Sequence, residues 1–204
     1  MSKFTLIKYL KYLLKSKNKH GVHSPFVYEL ITKVFNDNTT KNEYKKIGQT
    51  NQANDNSNSK KYLKLLLRLT KHFQPKSLLK IGASDCPKTE LLKKTNPNTF
   101  FYSHEIANDK VVSLETTIPK SVNKIDFVLI KSNENLRTYF EYCAKYTHNN
   151  SVMIIDNIHQ NEKIEIIWRQ ILEHNSVRVS IDLFYIGIVF FRKEQAKENF
   201  IVRF

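Results

Sequence analysis

The chain has 204 residues, a hydrophobic content of 41% and a net charge of +14, which together favour a globular domain with a basic surface. Its four glycines, with no repeat, exclude collagen-like and repeat architectures. Its two cysteines, Cys86 and Cys143, match neither a metal-binding spacing nor a disulfide framework. The longest apolar run, residues 183–191, is far shorter than the roughly 20 residues of a membrane-spanning helix. We therefore expect a cytoplasmic protein without a transmembrane segment.

Lysine dominates the positive charge. Only six of the 33 basic residues are arginine, so the chain is poor in the bidentate donors that nucleic-acid-binding proteins favour. The abundance of lysine and asparagine is also typical of a chain encoded by AT-rich DNA. The composition predicts a weak anionic partner, and leaves binding to RNA or to an anionic surface as one alternative function.

Residues 1–35 are predicted to form a helical extension. The apolar residues that recur at helical spacing between positions 3 and 17 are Phe4, Leu6, Ile7, Leu10, Leu13 and Leu14. Lysines occupy the opposite side, which indicates a basic amphipathic helix. We expect its apolar face to pack on the chain's own domain, with a membrane surface as the alternative. Ser24 and Pro25 then predict the start of a second helix that ends near Phe35.

Residues 36–59 are predicted to be a polar linker, because Ala53 is the one apolar residue between Gln49 and Ser59. In residues 60–204 helices and strands alternate. The predicted helices are 60–73, 88–95, 134–146 and 162–174, and the predicted strands are 77–82, 99–104, 125–131 and 151–156. Residues 177–186 and 187–192 are β-rich and adjoin directly, which predicts an antiparallel hairpin.

This alternation predicts an α/β domain with a doubly wound, mostly parallel sheet and a C-terminal antiparallel hairpin, preceded by the N-terminal helices. Ligands of such sheets bind at the carboxyl ends of the strands. The segments that follow residues 81, 103, 130 and 155 are therefore the candidate binding loops.

Four segments carry a family resemblance: His20-Gly-Val-His-Ser-Pro-Phe-Val-Tyr28, Ser77-Leu-Leu-Lys-Ile-Gly-Ala-Ser84, Ile154-Ile-Asp-Asn-Ile-His159 and residues 181–192. Together they resemble a bacterial group of class I S-adenosylmethionine-dependent methyltransferases, similar to the small O-methyltransferases. The resemblance covers nearly the whole chain. It implies the class I methyltransferase fold, S-adenosylmethionine as cofactor and a small-molecule methyl acceptor.

The resemblance assigns Gly82, Ser84 and Glu105 to cofactor binding, with Glu105 on the ribose hydroxyls. The family's first loop has an acidic residue before Gly-x-x-x-Gly, whereas this chain has Lys80 at the acidic position and Cys86 at the second glycine. A lysine beside the cationic cofactor costs several kcal/mol at about 4 Å, on the order of a thousandfold in affinity. Only 19 residues separate Glu105 from Ile125, too few for the helix and third strand that relatives place there; Val111–Glu115 is the candidate remnant.

The metal-dependent relatives hold a divalent cation with an Asp-Asn pair and a further aspartate. Here the pair is Asp156-Asn157, but Lys131 stands at the partner position. A lysine there would repel a cation and could itself pair with Asp156, so we expect no metal. His159 is the candidate general base, with a structural role as its alternative.

These substitutions predict a methyltransferase-family protein whose cofactor and metal sites are degraded, and which is weakly active or non-catalytic. The first alternative is an active, metal-independent O-methyltransferase that uses Gly82, Ser84 and Glu105 for the cofactor and His159 as base. The second is a non-catalytic protein that binds RNA or an anionic surface.

Overall fold

A computed structural model describes residues 2–18, 21–36, 57–82, 87–105, 117–131 and 134–204. Two compact units make up the fold. The first comprises Met1–Asn18, Lys76–Ser84 and Phe100–Phe204, and the second comprises Lys19–Pro75 and Asp85–Thr99. Ser84 and the candidate remnant strand at residues 111–115 lie outside the described residues.

The described helices and strands occur close to their predicted positions. The helices are α1 (Lys3–Lys15), α2 (Pro25–Glu29), α3 (Ser57–Phe73), α4 (Pro87–Thr95), α5 (Leu136–Ala144) and α6 (Glu162–Glu173). The strands are β1 (Ser77–Ile81), β2 (Phe100–His104), β3 (Phe127–Lys131), β4 (Val152–Asp156), β5 (Val179–Asp182), β6 (Ile186–Phe190) and β7 (Glu198–Ile201). A π-helical turn, Leu30–Phe35, continues α2 to the predicted end of the second helix.

The first unit contains one seven-stranded sheet in the order β2-β1-β3-β4-β6-β5-β7. Strands β2, β1, β3 and β4 are parallel, and their central members are nearly continuous apolar runs, as strands covered on both faces require. Strand β6 is antiparallel to both β4 and β5, which confirms the predicted hairpin. Strand β7, which the sequence analysis missed, adds to β5 in parallel.

Helices α5 and α6 cover one face of this sheet. Their buried side chains, Tyr139, Phe140, Trp168 and Ile171 among them, share one apolar cluster with inward residues of the strands. Gly187 on β6 permits close approach here, because a Cβ at this position would lie 2.6 Å from the Trp168 ring. Asn161 caps α6 by accepting a hydrogen bond from the Ile164 amide at 3.0 Å.

Helix α1 belongs to the same unit, but it packs through a different face from the one predicted. Tyr12 is buried against Phe184, with ring centroids 5.4 Å apart, and its hydroxyl donates to the Val202 carbonyl. Burial and the nearby Asp182 raise the pKa of Tyr12 to about 12, so the phenol keeps the proton that it donates. This side of α1 thus buries an aromatic ring and also gives the Val202 carbonyl a hydrogen-bond donor.

The prediction that the leucine-rich face of α1 packs on the domain is therefore wrong for four of its members. Leu6, Ile7, Leu10 and Leu14 are exposed.

The second unit is helical. Ser24 caps α2 by accepting from the Val27 amide, as the Ser-Pro signal predicts. Within this unit Arg68 of α3 donates to the Phe35 carbonyl at 2.9 Å, and Asn96 after α4 donates to the Thr70 hydroxyl at 3.3 Å. Helix α3 begins at Ser57, inside the predicted linker, and the predicted domain boundaries stay a prediction.

Candidate functional site at the carboxyl edge of the sheet

The strand register places four sequence-predicted positions side by side at the carboxyl edge. Ile81 of β1 pairs with His104 of β2 on one side and with Ile130 of β3 on the other. Lys131 then pairs with Asp156 of β4. The residues that follow Ile81 and His104 therefore lie in one row with Lys131 and Asp156. In sheet order this row is Glu105, Gly82, Lys131 and Asp156, and we call it the edge row.

Gly82 lies in a backbone conformation that requires glycine. Its φ is +150°, and its amide donates to the His104 carbonyl at 3.0 Å, which ties the end of β1 to the end of β2. A Cβ on this residue would lie 3.1 Å from Cβ and 3.8 Å from Cδ of Lys131. The lysine side chain therefore runs alongside the glycine, on the surface where the resemblance expects the cofactor to approach the backbone.

Lys131 and Asp156 end adjacent parallel strands and share a face of the sheet. The ammonium group is a donor that carries positive charge, so it complements the carboxylate but not a cation. Among the described residues, no three histidine, cysteine, aspartate or glutamate side chains gather in a metal-binding arrangement. The donor set of the edge row thus does not fit a divalent cation, which takes six or more oxygen ligands in most sites.

Lys80 lies two residues before Gly82 and therefore on the same face of β1, where it is half-buried. With Lys131 it places two lysines on this face near the glycine. Two lysine ammonium groups disfavour a ligand with a sulfonium and an ammonium group, whereas Glu105 and Asp156 of the edge row carry the opposite charge.

Glu105 is the exposed first residue after β2, next to Gly82 in the edge row. This location agrees with the ribose-binding role that the resemblance assigns, which stays a prediction. The preceding residue, His104, is buried. Its Nδ1 lies 2.9 Å from the Thr117 hydroxyl, and burial lowers its pKa, so the ring is neutral at pH 7.

His159, the candidate base, lies in a buried cluster rather than in the edge row. Its Nε2 is 2.8 Å from Oδ2 of Asp182, the last residue of β5, and its Nδ1 is 3.6 Å from Oε2 of Glu165 on α6. Glu165 in turn pairs through Oε1 with Nζ of Lys8 on α1. The Phe184 ring covers the imidazole, with centroids 5.3 Å apart. We call Lys8, Glu165, His159 and Asp182 the anchor cluster.

The anchor cluster gives His159 a structural task. One ring nitrogen is committed to Asp182, and the other is buried and faces Glu165. Neither is placed to accept a proton from a ligand at the edge row, so the geometry favours the structural alternative of the sequence analysis. The general-base role stays a prediction.

Sequence reasoning missed Glu165, Asp182 and Lys8. A signal existed for one of them: Glu165 lies between Ile164 and Trp168 on the apolar side of α6, where an unpaired carboxylate is costly. The identity of its partners, Lys8 and His159, has no signature in local spacing.

No protein-family model and no curated protein matches this chain. Solved structures do. The O-methyltransferase TomG from Streptomyces achromogenes, in complex with SAM, shares 14% identity over 81% of this chain and 95% of that chain, with a TM-score of 0.52. A cofactor-bound protein from MTB shares 14% identity over 74% of this chain and 88% of that chain, with a TM-score of 0.51.

None of the described helices is long and apolar enough to cross a membrane.

The seven-stranded, mostly parallel sheet with antiparallel strands after β4 is the predicted architecture, and the two structural likenesses support it. The chain therefore has the fold of the class I methyltransferases.

Proposed function

We propose that this chain is a methyltransferase-family protein with degraded cofactor and metal sites, which transfers methyl groups weakly or not at all. One observation carries the proposal: the Lys131 side chain lies against Gly82, and Lys131 pairs in register with Asp156 on the next strand. By the resemblance, that single lysine lies beside the cofactor glycine and at the partner position of the metal-binding Asp-Asn pair.

Electrostatic repulsion disfavours the cofactor. S-adenosylmethionine carries a sulfonium and an ammonium, and Lys131 and Lys80 share the face on which the resemblance places it. Two unit charges 4 Å apart repel by about 4 kcal/mol at an effective dielectric of 20. Even half of this penalty lowers affinity by well over tenfold.

A lysine stands at the position where the resemblance places a metal ligand. A divalent cation would orient an acceptor hydroxyl and lower its pKa. The Lys131 ammonium is positively charged but has no open coordination positions, so we expect it to offset the charge of Asp156 on the next strand and to supply no Lewis acid.

Glu105 favours the alternative, an active metal-independent O-methyltransferase acting on a small molecule. A carboxylate beside Gly82 suits ribose hydroxyls, and Ser84 would complete that loop. In this alternative His159 would be the base, which requires it to leave the anchor cluster.

Calorimetric titration with S-adenosylmethionine and S-adenosylhomocysteine tests the proposal. The wild-type protein is expected to bind both ligands more weakly than about 1 mM. Lys131→Met, which keeps the aliphatic chain but removes the charge, should strengthen binding of S-adenosylmethionine more than of S-adenosylhomocysteine, because only the former has a sulfonium. Lys120→Met, at an exposed lysine that belongs neither to a described strand nor to the edge row, is the matched control.

Micromolar binding by the wild-type protein, unchanged by Lys131→Met, would contradict the proposal and support the active enzyme. In that outcome, Glu105→Gln should weaken binding by about tenfold, because the ribose hydrogen bonds lose a charged acceptor.

A further inference from the structure

Helix α1 has two distinct sides in the structure. The inner side holds Tyr12, which is buried, with Tyr9 next to Phe184 at a centroid distance of 4.9 Å. Lys8 on this side pairs with the buried Glu165. These contacts fix the rotation of the helix about its axis, because they commit residues 8, 9 and 12 to the domain.

The outer side is apolar and exposed. At 100° per residue, Leu6, Leu10, Leu14 and Ile7 fall within one sector of about 100° on the helix surface. Their exposures are 51%, 55%, 88% and 44%. Four large apolar side chains in one contiguous patch on a single helix differ from the scattered exposed residues of an ordinary surface. We call these four residues the α1 stripe.

The charge on α1 itself has one sign. Every charged residue of α1 is a lysine, and Lys8 alone among them is committed to an ion pair in the anchor cluster. Lys3 begins the helix inside the sector of the stripe, and the exposed Lys11 and Lys15 border it on one side. Lys17 follows the helix in the chain, and Arg203 donates to the Leu13 carbonyl at 2.8 Å near the end of the helix. Both side chains are exposed.

From this arrangement we infer that α1 binds the surface of an anionic lipid bilayer. The apolar stripe would enter the boundary between headgroups and acyl chains, and the neighbouring lysines would meet the lipid headgroups. The inner side stays docked on the domain, so the helix needs no rearrangement to lie parallel to a membrane.

The other occupants fit less well. A stable homodimer buries about 800 Å² on each partner, contributed by about 20 to 30 residues, whereas the stripe offers four. RNA would bind the lysines through its phosphates, but these contacts leave a contiguous leucine face exposed. A bilayer uses both features, and a small number of inserted side chains is enough when basic residues add to them.

Co-sedimentation with vesicles tests this inference. The full chain should bind phosphatidylcholine vesicles that contain phosphatidylglycerol at least about tenfold more than pure phosphatidylcholine vesicles. Raising sodium chloride from about 0.1 M to about 0.5 M should weaken that binding. The double variant Leu6→Ser/Leu10→Ser should lose about tenfold or more in binding, and Lys11→Glu/Lys15→Glu should lose the preference for anionic vesicles.

Ile166→Ser is the matched control, because Ile166 is 43% exposed on α6, outside the stripe. It should bind vesicles as the wild type does. Thermal unfolding of each variant checks the fold, and since all substituted side chains are exposed, the midpoints should stay within a few degrees.

Three results would overturn the inference. The first is equal binding by the wild type and Leu6→Ser/Leu10→Ser. The second is a concentration-dependent dimer in sedimentation velocity that this variant abolishes while no vesicles bind. The third is salt-dependent binding of single-stranded RNA that is insensitive to both leucine substitutions, with no vesicle binding. Each outcome is independent of the cofactor titration, so this inference and the proposed function fail separately.

Discussion

The amino edge of the central sheet is tied together by one hydrogen-bond network, whereas the carboxyl edge is tied in part and otherwise presents charged side chains. At the amino edge, the Asp126 carboxylate accepts from the Lys76 amide at 2.7 Å, from the Ser77 amide at 2.9 Å and from His148 Nε2 at 2.8 Å. Ser151 closes the network by donating to the Ile125 carbonyl at 2.7 Å. The start of β1, the approach to β3 and the approach to β4 are thus joined through one carboxylate.

At the carboxyl edge, the ion pairs of the anchor cluster hold the segment that follows β4. The edge row, in contrast, presents charged side chains at the strand ends. Glu105 and Lys131 are both exposed there, and Gly82 keeps a conformation that only glycine tolerates well. We expect the amino edge to carry more of the stability of the fold than the edge row does. Lys131 ends β3 in register with Asp156, so the sheet accommodates a lysine at this position.

The largest stability effect is expected at the amino edge. Asp126→Ala leaves the Ser77 amide and His148 without their acceptor, and should lower the free energy of unfolding by about 3 kcal/mol at pH 7. Urea unfolding measures this loss. Glu134→Ala, which removes an exposed ion pair with Lys163, is the control and should cost less than about 0.5 kcal/mol.

The same carboxylate predicts a pH dependence. Burial raises the pKa of Asp126, but hydrogen bonds from His148, Ser77 and Lys76 outweigh it, so its folded pKa lies below the ordinary 3.8. The stabilisation is therefore complete above pH 3.8 and is lost as the pH falls through the lower folded pKa. The difference between wild type and Asp126→Ala should shrink in that acid range; a constant difference would contradict this account.

The anchor cluster provides the next effect. Lys8→Met leaves the buried Glu165 without its closest partner and should destabilise the protein by about 2 kcal/mol. Adding Glu165→Gln should recover part of the loss, since the buried charge is then removed. Arg137→Met breaks an exposed pair with Glu141 and serves as a control near zero. If Lys8→Met and Arg137→Met lost equal stability, the ion pair between Lys8 and Glu165 would contribute no more than an exposed surface pair.

A smaller effect is expected where the edge row is strained. Gly82→Ala places a Cβ 3.1 Å from the Lys131 Cβ at a φ of +150°, and should cost about 1.5 kcal/mol. Adding Lys131→Gly to Gly82→Ala removes the contact between the two Cβ atoms but not the backbone strain. The double variant should therefore recover less than half of the stability that Gly82→Ala loses. Urea unfolding of both variants and of the double variant separates the two causes.

The sequence predicted the elements of this fold because local rules determine them. Apolar runs such as residues 127–130 and the Ser24-Pro25 start of α2 each gave the correct element. The short, exposed β7 was missed since Glu198 and Asn199 have no apolar alternation. The packing side of α1 was predicted wrongly because Tyr12 meets Val202 across 190 positions in the chain, and no periodicity reports such a contact.

The candidate site shows the same division. Gly82, Glu105, Lys131 and Asp156 were placed from strand ends and family resemblance, and the register brings them into one row. The anchor cluster depends on three elements far apart in the chain, so the commitment of His159 to Asp182 emerges only with the folded structure.

The smallest expected effect comes from placing at Lys131 the acid that the metal-dependent enzymes of the sequence resemblance carry. Lys131→Asp places a second carboxylate beside Asp156 and Asn157, where like charges repel in the absence of a cation. We expect this variant to melt a few degrees below the wild type without metal, and to recover on addition of Mg²⁺ or Ca²⁺. The wild type should show no such shift, because a lysine stands in place of the second carboxylate. Lys131→Asp/Asp156→Asn removes one of the two acids and should lose the response to metal. A metal-dependent shift in the wild type, or none in Lys131→Asp, would show that Lys131 does not occupy the place of a cation.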